Sequence, residues 1–271
     1  MAENNAKNLT LFGAGRMGSA LAGGWLKSGY GGQITLVDPN PSETVQAWVD
    51  AGKVALNGGP HASDILVVAV KPQMFIELAP NIASWIGPET DVLSIMAGVP
   101  LATLEAKLGT SKVARAMPNT PGLVGMGVTV MCLPQAAASG VEVQTRALLQ
   151  PLGSVEGPIS EDLLPAATAV SGCGPAYGFL LAELMAQAGA ANGLDPDMSM
   201  RLARRTVEGA GALMAASDQD ARTLRENVTS PGGVTQAALA VLMADNALPK
   251  TLREAVAAAI KRDRELSAET S

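Results

Sequence analysis

Leu9-Thr10-Leu11-Phe12-Gly13-Ala14-Gly15-Arg16-Met17-Gly18 decides the fold of this 271-residue chain. Leu9 to Phe12 is a short apolar run that reads as a buried strand. Three glycines follow at G-x-G-x-x-G spacing. Met17, Ala20, Leu21, Gly24 and Trp25 then recur at helical spacing. A strand, a glycine turn and a helix in that order are the context in which such glycines bind a dinucleotide. Gly13 allows the tight turn, Gly15 lets the backbone approach a pyrophosphate, and Gly18 lets helix and strand pack closely. Unpaired N–H groups and the positive dipole end at the helix start then face the phosphates. Asp38 closes the next apolar run, Ile34 to Val37, about twenty residues beyond Gly18, where an acidic residue meets the adenosine ribose.

Working outward, the chain divides into two styles. Up to about Pro158, short β-branched runs alternate with amphipathic stretches. Ile65–Val70, Val92–Met96, Val113–Met117 and Val128–Cys132 read as strands. Ser42–Ala51, Met74–Ile86 and Leu101–Leu108 read as helices, with Gly52 and Gly109 at their C-terminal ends. This alternation predicts a doubly wound, Rossmann-like parallel sheet over residues 8–160 with helices on both faces. From 161 to 271 the strand signal is absent. Ala176–Asn192, Pro196–Ala216, Asp220–Asn227, Gly233–Asp245 and Pro249–Leu266 read as helices rich in Ala and Gly. Small residues permit close helix contacts but bury little area each, so this domain is expected to cover more surface against a second copy.

Composition narrows the class. The chain is 48% hydrophobic and 3% aromatic with a net charge of −6. With no long basic run, neither nucleic acid nor an anionic membrane is an expected partner. Two scattered cysteines, Cys132 and Cys173, make no disulfide framework. No uninterrupted apolar run of about twenty residues and no signal-peptide pattern is present, so a cytoplasmic location without a membrane span is expected. No metal-ligand cluster is visible, and the polar tails Met1–Lys7 and Ser267–Ser271 are expected to fray.

Four smaller clusters carry candidate chemistry, each with a plainer structural reading beside it. Val70-Lys71-Pro72-Gln73 follows a strand at the sheet edge where ligands collect. It reads equally as a proline-ended strand. Met117-Pro118-Asn119-Thr120-Pro121 is a stiff loop carrying an amide. Ser171-Gly172-Cys173-Gly174-Pro175 enters the first long helix of the second half, where Cys173 reads as a packed residue without a neighbouring histidine. In Asn227–Thr235, Ser230 and Pro231 are expected as N-cap and first helical residue. Gly232 and Gly233 would leave N–H groups bare for a carboxylate, and Thr235 would present its hydroxyl one turn in.

Absences narrow the chemistry further. His61 is the single histidine and reads as a loop residue, and no lysine lies between Lys112 and Lys250. Making or oxidising an alcohol by hydride transfer calls for a proton relay. An imine can be protonated before hydride arrives and needs only a hydrogen-bond partner.

These motifs resemble those of the Δ1-pyrroline-5-carboxylate reductase family along the whole chain. The resemblance rests on the glycine motif, Val70–Gln73, Met117–Pro121, Ala167–Tyr177 and Asn227–Thr235. It implies reduction of 1-pyrroline-5-carboxylate to L-proline by NADPH or NADH, the last step of proline biosynthesis. It implies a Rossmann domain followed by a helical domain interlocked with that of a second subunit, within a homodimer or a ring of dimers. The implied cofactor residues are Gly13, Ala14, Gly15, Arg16, Met17, Gly18, Asp38, Asn57, Ala69, Val70, Lys71, Pro72, Ala97, Gly98 and Asn119. The implied substrate residues are Ser171, Ser230, Gly232, Gly233, Val234 and Thr235, with Thr235 near the ring nitrogen as the catalytic group. Three positions depart from the family pattern. Cys173 stands where Ser is frequent, and Val234 where Thr or Ala is frequent. Asp38 stands where small polar or basic residues often receive the 2′-phosphate of NADPH, and its charge favours NADH. The β-hydroxyacid dehydrogenases share the glycine motif but use a lysine in the second domain, which this chain lacks there. A sensor that binds the dinucleotide without turnover is the remaining alternative.

Overall fold

The run Leu9–Phe12 forms strand β1 with every residue buried. This computed structural model describes residues 7–134 and 140–269. After β1 come α1 (Arg16–Lys27), β2 (Ile34–Val37), α2 (Glu43–Asp50), the two-residue β3 (Ala55–Leu56), β4 (Ile65–Val68), α3 (Pro72–Ala83), β5 (Asp91–Ser94), α4 (Leu101–Leu108), β6 (Val113–Met117), β7 (Gly127–Cys132), α5 (Val141–Leu149) and β8 (Gly153–Glu156). They build one eight-stranded sheet in the order β3-β2-β1-β4-β5-β6-β7-β8.

Period-two alternation sends neighbouring residues to opposite faces. Leu9, Leu11, Ile65 and Val67 join Leu21 and Trp25 in a core on one face. Phe12, Leu66 and Val68 join Phe75, Ile82 and Leu104 on the other. Trp25 is 1% exposed, and its ring nitrogen donates to the Leu148 carbonyl at 2.8 Å. Burying a side chain of this kind stabilises by about 1.5–3 kcal/mol.

The sheet is mixed, which corrects the expected all-parallel arrangement. β7 runs antiparallel to β6, and β8 pairs parallel with β7. The link from β6 to β7 holds only a 3₁₀ turn, Thr120–Val124. A parallel return needs a crossover of about a dozen residues or more, so this link brings β7 back antiparallel.

The remaining elements are helical: α6 (Leu164–Ala167), a π-helical turn (Thr168–Gly172), α7 (Gly174–Ala191), α8 (Pro196–Ala215), α9 (Ala221–Asn227), α10 (Val234–Leu242) and α11 (Leu248–Glu269). The chain separates into two compact units, one reaching Gly172 and also taking the chain from Ala259, the other spanning Cys173–Ala258. The compact division therefore falls later than the 160/161 junction read from the sequence. Residues after 160 hold to the sheet: Glu161 accepts hydrogen bonds from Leu101 N and Arg115, and Leu164 is 2% exposed in the core. Of the tails expected to fray, only Lys7 and residues 267–269 are described. Lys7 pairs with Asp91 at 3.1 Å, and α11 continues through Ser267. Met1–Ala6 and residues 270–271 lie outside the described residues.

In the second unit α7 packs on α8 through small residues. Ser199 Oγ donates to the Ala186 carbonyl at 2.7 Å, and Gly189 faces the same hydroxyl. Large side chains stay outside: Phe179 is 70% exposed, and Leu180, Leu184, Leu202 and Leu213 are about half exposed. An apolar surface of this extent marks an interaction face. The sequence predicts no membrane-spanning segment, yet the helical stretch Glu161–Ala191 is long and apolar enough to pass that test by length and composition. The exposed leucines of α7 supply much of that apolarity.

Candidate functional site

Register brings the expected cofactor residues to one edge of the sheet. Phe12 stands level with Val37 and Val68, and Val68 with Ser94. The residues that follow these strands, Gly13, Asp38, Ala69 and Ile95, therefore leave the same side. β1 lies between β2 and β4, so the chain winds outward in both directions from it, and the crevice at such a switch point is where α/β sheets bind ligands.

The glycine turn is built as its spacing predicts. Gly13 has φ +90°, and its Cα lies so near the Ala69 carbonyl that a Cβ would meet the oxygen at 2.6 Å. A Cβ on Gly18 would fall 2.0 Å from the Gly13 carbonyl oxygen, so α1 packs on the turn only because residue 18 has no side chain. Gly15 is the N-cap of α1. No side chain caps the helix there, and no acidic residue occupies its first turn. Space for a side chain at Gly15 is open, and Gly15 and Arg16 are exposed. Uncovered N–H groups, the positive dipole end and clear access together fit a pyrophosphate.

Asp38 braces this turn from the end of β2. One carboxylate oxygen accepts from Ala14 N at 2.7 Å and the other from Asn40 N at 2.8 Å. Asn57 interlocks with it: Asn57 Oδ1 accepts from Asp38 N, and Asn57 Nδ2 donates to the Asp38 carbonyl, both at 2.9 Å. Asn57 holds φ +50°, an uncommon conformation for a residue other than glycine and one that Asn tolerates.

Beyond β4, Ala69 N donates to the Phe12 carbonyl at 2.7 Å, and Val70 leads to Lys71, the N-cap of α3, with Pro72 as its first residue. The helix thus starts before the expected Met74, and the exposed Lys71 stands at its mouth. Ala97 and Gly98 follow β5. Asn119, 8% exposed, spends its amide on the scaffold: Nδ2 donates to the Ser171 carbonyl at 3.0 Å and Oδ1 accepts from Val128 N at 2.9 Å. Ser171 lies in the π-helical turn and donates from Oγ to the Ala167 carbonyl at 2.9 Å.

A half-buried ion pair close by has no place among the expected residues. Arg115, 5% exposed within β6, meets Glu161 Oε1 at 2.6 Å, and that oxygen also accepts from Leu101 N at 2.9 Å. A lone cation inside the run Val113–Met117 was its sequence signal. Burial pushes the neighbouring Cys132 thiol up to about 11, against the lowering effect of Arg115, so the thiolate is disfavoured. His61 is in a loop, its Nδ1 3.0 Å from the Gly59 carbonyl and its ring against Trp85. No cluster of candidate metal ligands occurs among the described residues.

The second unit carries the other expected residues. α10 begins at Val234 with Gly233 as an extended N-cap that no side chain supports. This corrects the expectation that Ser230 and Pro231 open the helix. Gly233 N donates to the Ser230 carbonyl at 3.0 Å, closing a turn, and Gly232 at φ +70° carries the chain out of it. Gln236 reaches back to accept from Gly232 N. Thr235 is then the second residue of α10, half-buried, while Ser230, Gly232 and Val234 are exposed. Cys173 precedes α7 directly, and Tyr177 beside it is raised above its ordinary value, by burial first and then by Cys173.

Residues 161–266 match the family model for pyrroline-5-carboxylate reductase dimerisation, and residues 8–98 match that for coenzyme F420-dependent NADP oxidoreductase. The pyrroline-5-carboxylate reductase of Pseudomonas aeruginosa is 35% identical over 267 residues, 96% of each chain. The chain belongs to the pyrroline-5-carboxylate reductase family. The Pisum sativum enzyme is 34% identical over 272 residues, 97% of each chain. The pyrroline-5-carboxylate reductase structure from Coxiella burnetii has a TM-score of 0.88 at 30% identity, covering 97% of this chain and 99% of that one. The Plasmodium falciparum pyrroline carboxylate reductase, solved with NADP bound, has a TM-score of 0.80 at 30% identity, covering 96% and 98%. Membership in the pyrroline-5-carboxylate reductase family makes the chain an NAD(P)H-dependent oxidoreductase with a Rossmann-like sheet and a helical dimerisation region. The dimerisation match covers the helices whose apolar faces are uncovered.

Proposed function

We propose that this protein reduces 1-pyrroline-5-carboxylate to L-proline with NADH or NADPH, the last step of proline biosynthesis. The observation that carries this reading is 35% identity to a pyrroline-5-carboxylate reductase along 96% of both chains. Gly13, Ala14, Gly15, Arg16, Met17 and Gly18 hold the pyrophosphate at the bare start of α1. Asp38 receives the adenosine ribose, braced by Asn57. Ala69, Val70, Lys71, Pro72, Ala97, Gly98 and Asn119 line the way to the nicotinamide. The reduced nicotinamide, when bound, supplies hydride to the imine carbon.

The uncapped start of α10, with Ser230, Gly232, Gly233 and Val234 around it, takes the substrate carboxylate. Ser171 borders the substrate. Thr235 holds its hydroxyl at the ring nitrogen and follows that nitrogen's change from protonated imine to neutral amine. The nitrogen already bears its proton when the C–H bond forms, so the electron pair of the C=N bond moves onto nitrogen and no side chain supplies a proton in that step. The chain between Lys112 and Lys250 contains no lysine or histidine, which suits this chemistry. A cytoplasmic location, a homodimer interlocked through the C-terminal helices and a ring of such dimers complete the reading.

Loss of nicotinamide absorbance on adding pyrroline-5-carboxylate tests it, with a β-hydroxy acid and the oxidised cofactor as the contrasting pair. Turnover of the imine alone is expected. Turnover of the hydroxy acid alone would favour a β-hydroxyacid dehydrogenase, and cofactor binding without turnover a sensor.

A further inference from the structure

The last turns of α11 lie on the loop between β5 and α4. From Ala259 this helix belongs to the sheet unit, and its half-buried residues there, Ala259, Ile260, Asp263, Leu266 and Ser267, form a stripe at helical spacing. Gly98 sits at the apex of the loop with φ +69°. A methyl group there would stand 3.5 Å from Leu266 Cβ and 3.8 Å from Ser267 N, in ordinary van der Waals contact, so α11 passes close over the loop with room for little more than the glycine. The loop is fixed on either side of this point. Met96 and Val99 are buried, and Glu161 accepts from Leu101 N at the start of α4. Gly98 itself is covered by α11.

We propose that Leu266 is a positioning residue that braces the β5–α4 loop and thereby sets affinity for the nicotinamide half of the cofactor. The inference rests on the reading that Ala97 and Gly98 border the cofactor. A loop held in its binding conformation before the ligand arrives loses less conformational freedom on binding, and affinity rises accordingly. Leu266 is not among the residues proposed to hold the cofactor or the substrate, so its effect is expected on binding rather than on the reacting atoms.

Leu266→Ala and Leu266→Asp test this in the full-length protein, with Leu266→Met as the conservative control. Amide exchange over residues 95–100 and the Kd for NADH and NADPH are measured for each. In the Ala and Asp variants, exchange there should quicken about tenfold and both Kd values weaken about 5- to 20-fold, by similar factors for the two nucleotides. kcat at saturating cofactor should change less than about threefold, and the Met variant should stay within about twofold of wild type. Normal nucleotide binding by wild type with unchanged exchange and Kd in both variants would overturn the brace and leave the cofactor reading standing. A lowered Tm with unchanged Kd would likewise overturn it, leaving Leu266 a packing residue. Failure of wild type to bind either nucleotide would overturn both.

Discussion

On the proposed reading, Asp38 serves two purposes with one carboxylate. Its oxygens accept from Ala14 N and Asn40 N, which shapes the glycine turn, and each keeps acceptor capacity for a ribose hydroxyl. A 2′-phosphate would meet this charge at close range, where like charges near a protein surface cost on the order of a few kcal/mol. The expected outcome is a preference for NADH. Asp38→Ser should weaken NADH and improve NADPH, shifting the ratio of kcat/KM values more than about tenfold in steady-state assays. An unchanged ratio would leave Asp38 as a brace of the turn alone. At Thr235, removal of the hydroxyl by Thr235→Val should lower kcat/KM about 10- to 100-fold, a barrier change of about 1.4–2.7 kcal/mol. Stability should hold, because the N-cap of α10 is the Gly233 backbone and not this side chain. Wild-type kinetics in the valine variant would remove Thr235 from the chemistry.

Elements were legible where local pattern and tertiary demand agree. The bounds of β1, β2 and β6 follow from short, mostly apolar runs, since strands buried on both faces read as continuous hydrophobic runs, and those of α4 from an amphipathic stretch closed by Gly109. β8 was not legible: it alternates half-buried and exposed residues within a short Gly-Ser-Val-Glu stretch, too little for a period to show. The glycine turn was legible because its spacing encodes its own contacts. The Arg115–Glu161 pair was not, because one sequence cannot show that positions 115 and 161 meet. Nor could spacing show the turn that ends at Gly233, which is set by a backbone hydrogen bond and a positive φ at Gly232. α11 offers a test at this scale. Burial holds the Asp263 carboxyl above its ordinary 3.8 and outweighs the lowering effect of Arg115. The folded state therefore binds that proton more tightly than the unfolded chain. The stability this contributes is present below the unfolded value and is lost as pH rises through the folded one. Asp263→Asn should be more stable than wild type at about pH 7, with the advantage fading toward acid, as read by urea midpoints across that range. A less stable Asn variant at about pH 7 would show that attraction to Arg115 exceeds the cost of burial.

The whole molecule joins a unit with a dense two-faced core to one with little interior of its own. Among the described residues of Cys173–Ala258, only Ala186, Ser199 and Ala203 are buried. Helices with so little enclosed apolar area are marginal alone. Assembly should therefore supply much of their stability, and the Tm should rise with protein concentration, as for any equilibrium that folding shares with association. A concentration-independent Tm, with a monomer seen by sedimentation, would contradict this. The proposed reaction is hydride transfer from the nicotinamide to the imine carbon. Its most direct measurement supplies 1-pyrroline-5-carboxylate with a nicotinamide cofactor carrying deuterium at the transferable C4 position, and locates the label in the product by mass and NMR. The expected product is L-proline with about one deuterium per molecule, on the ring carbon bonded to nitrogen that does not carry the carboxylate. Proline without deuterium, or no proline from folded protein with either cofactor, would contradict it.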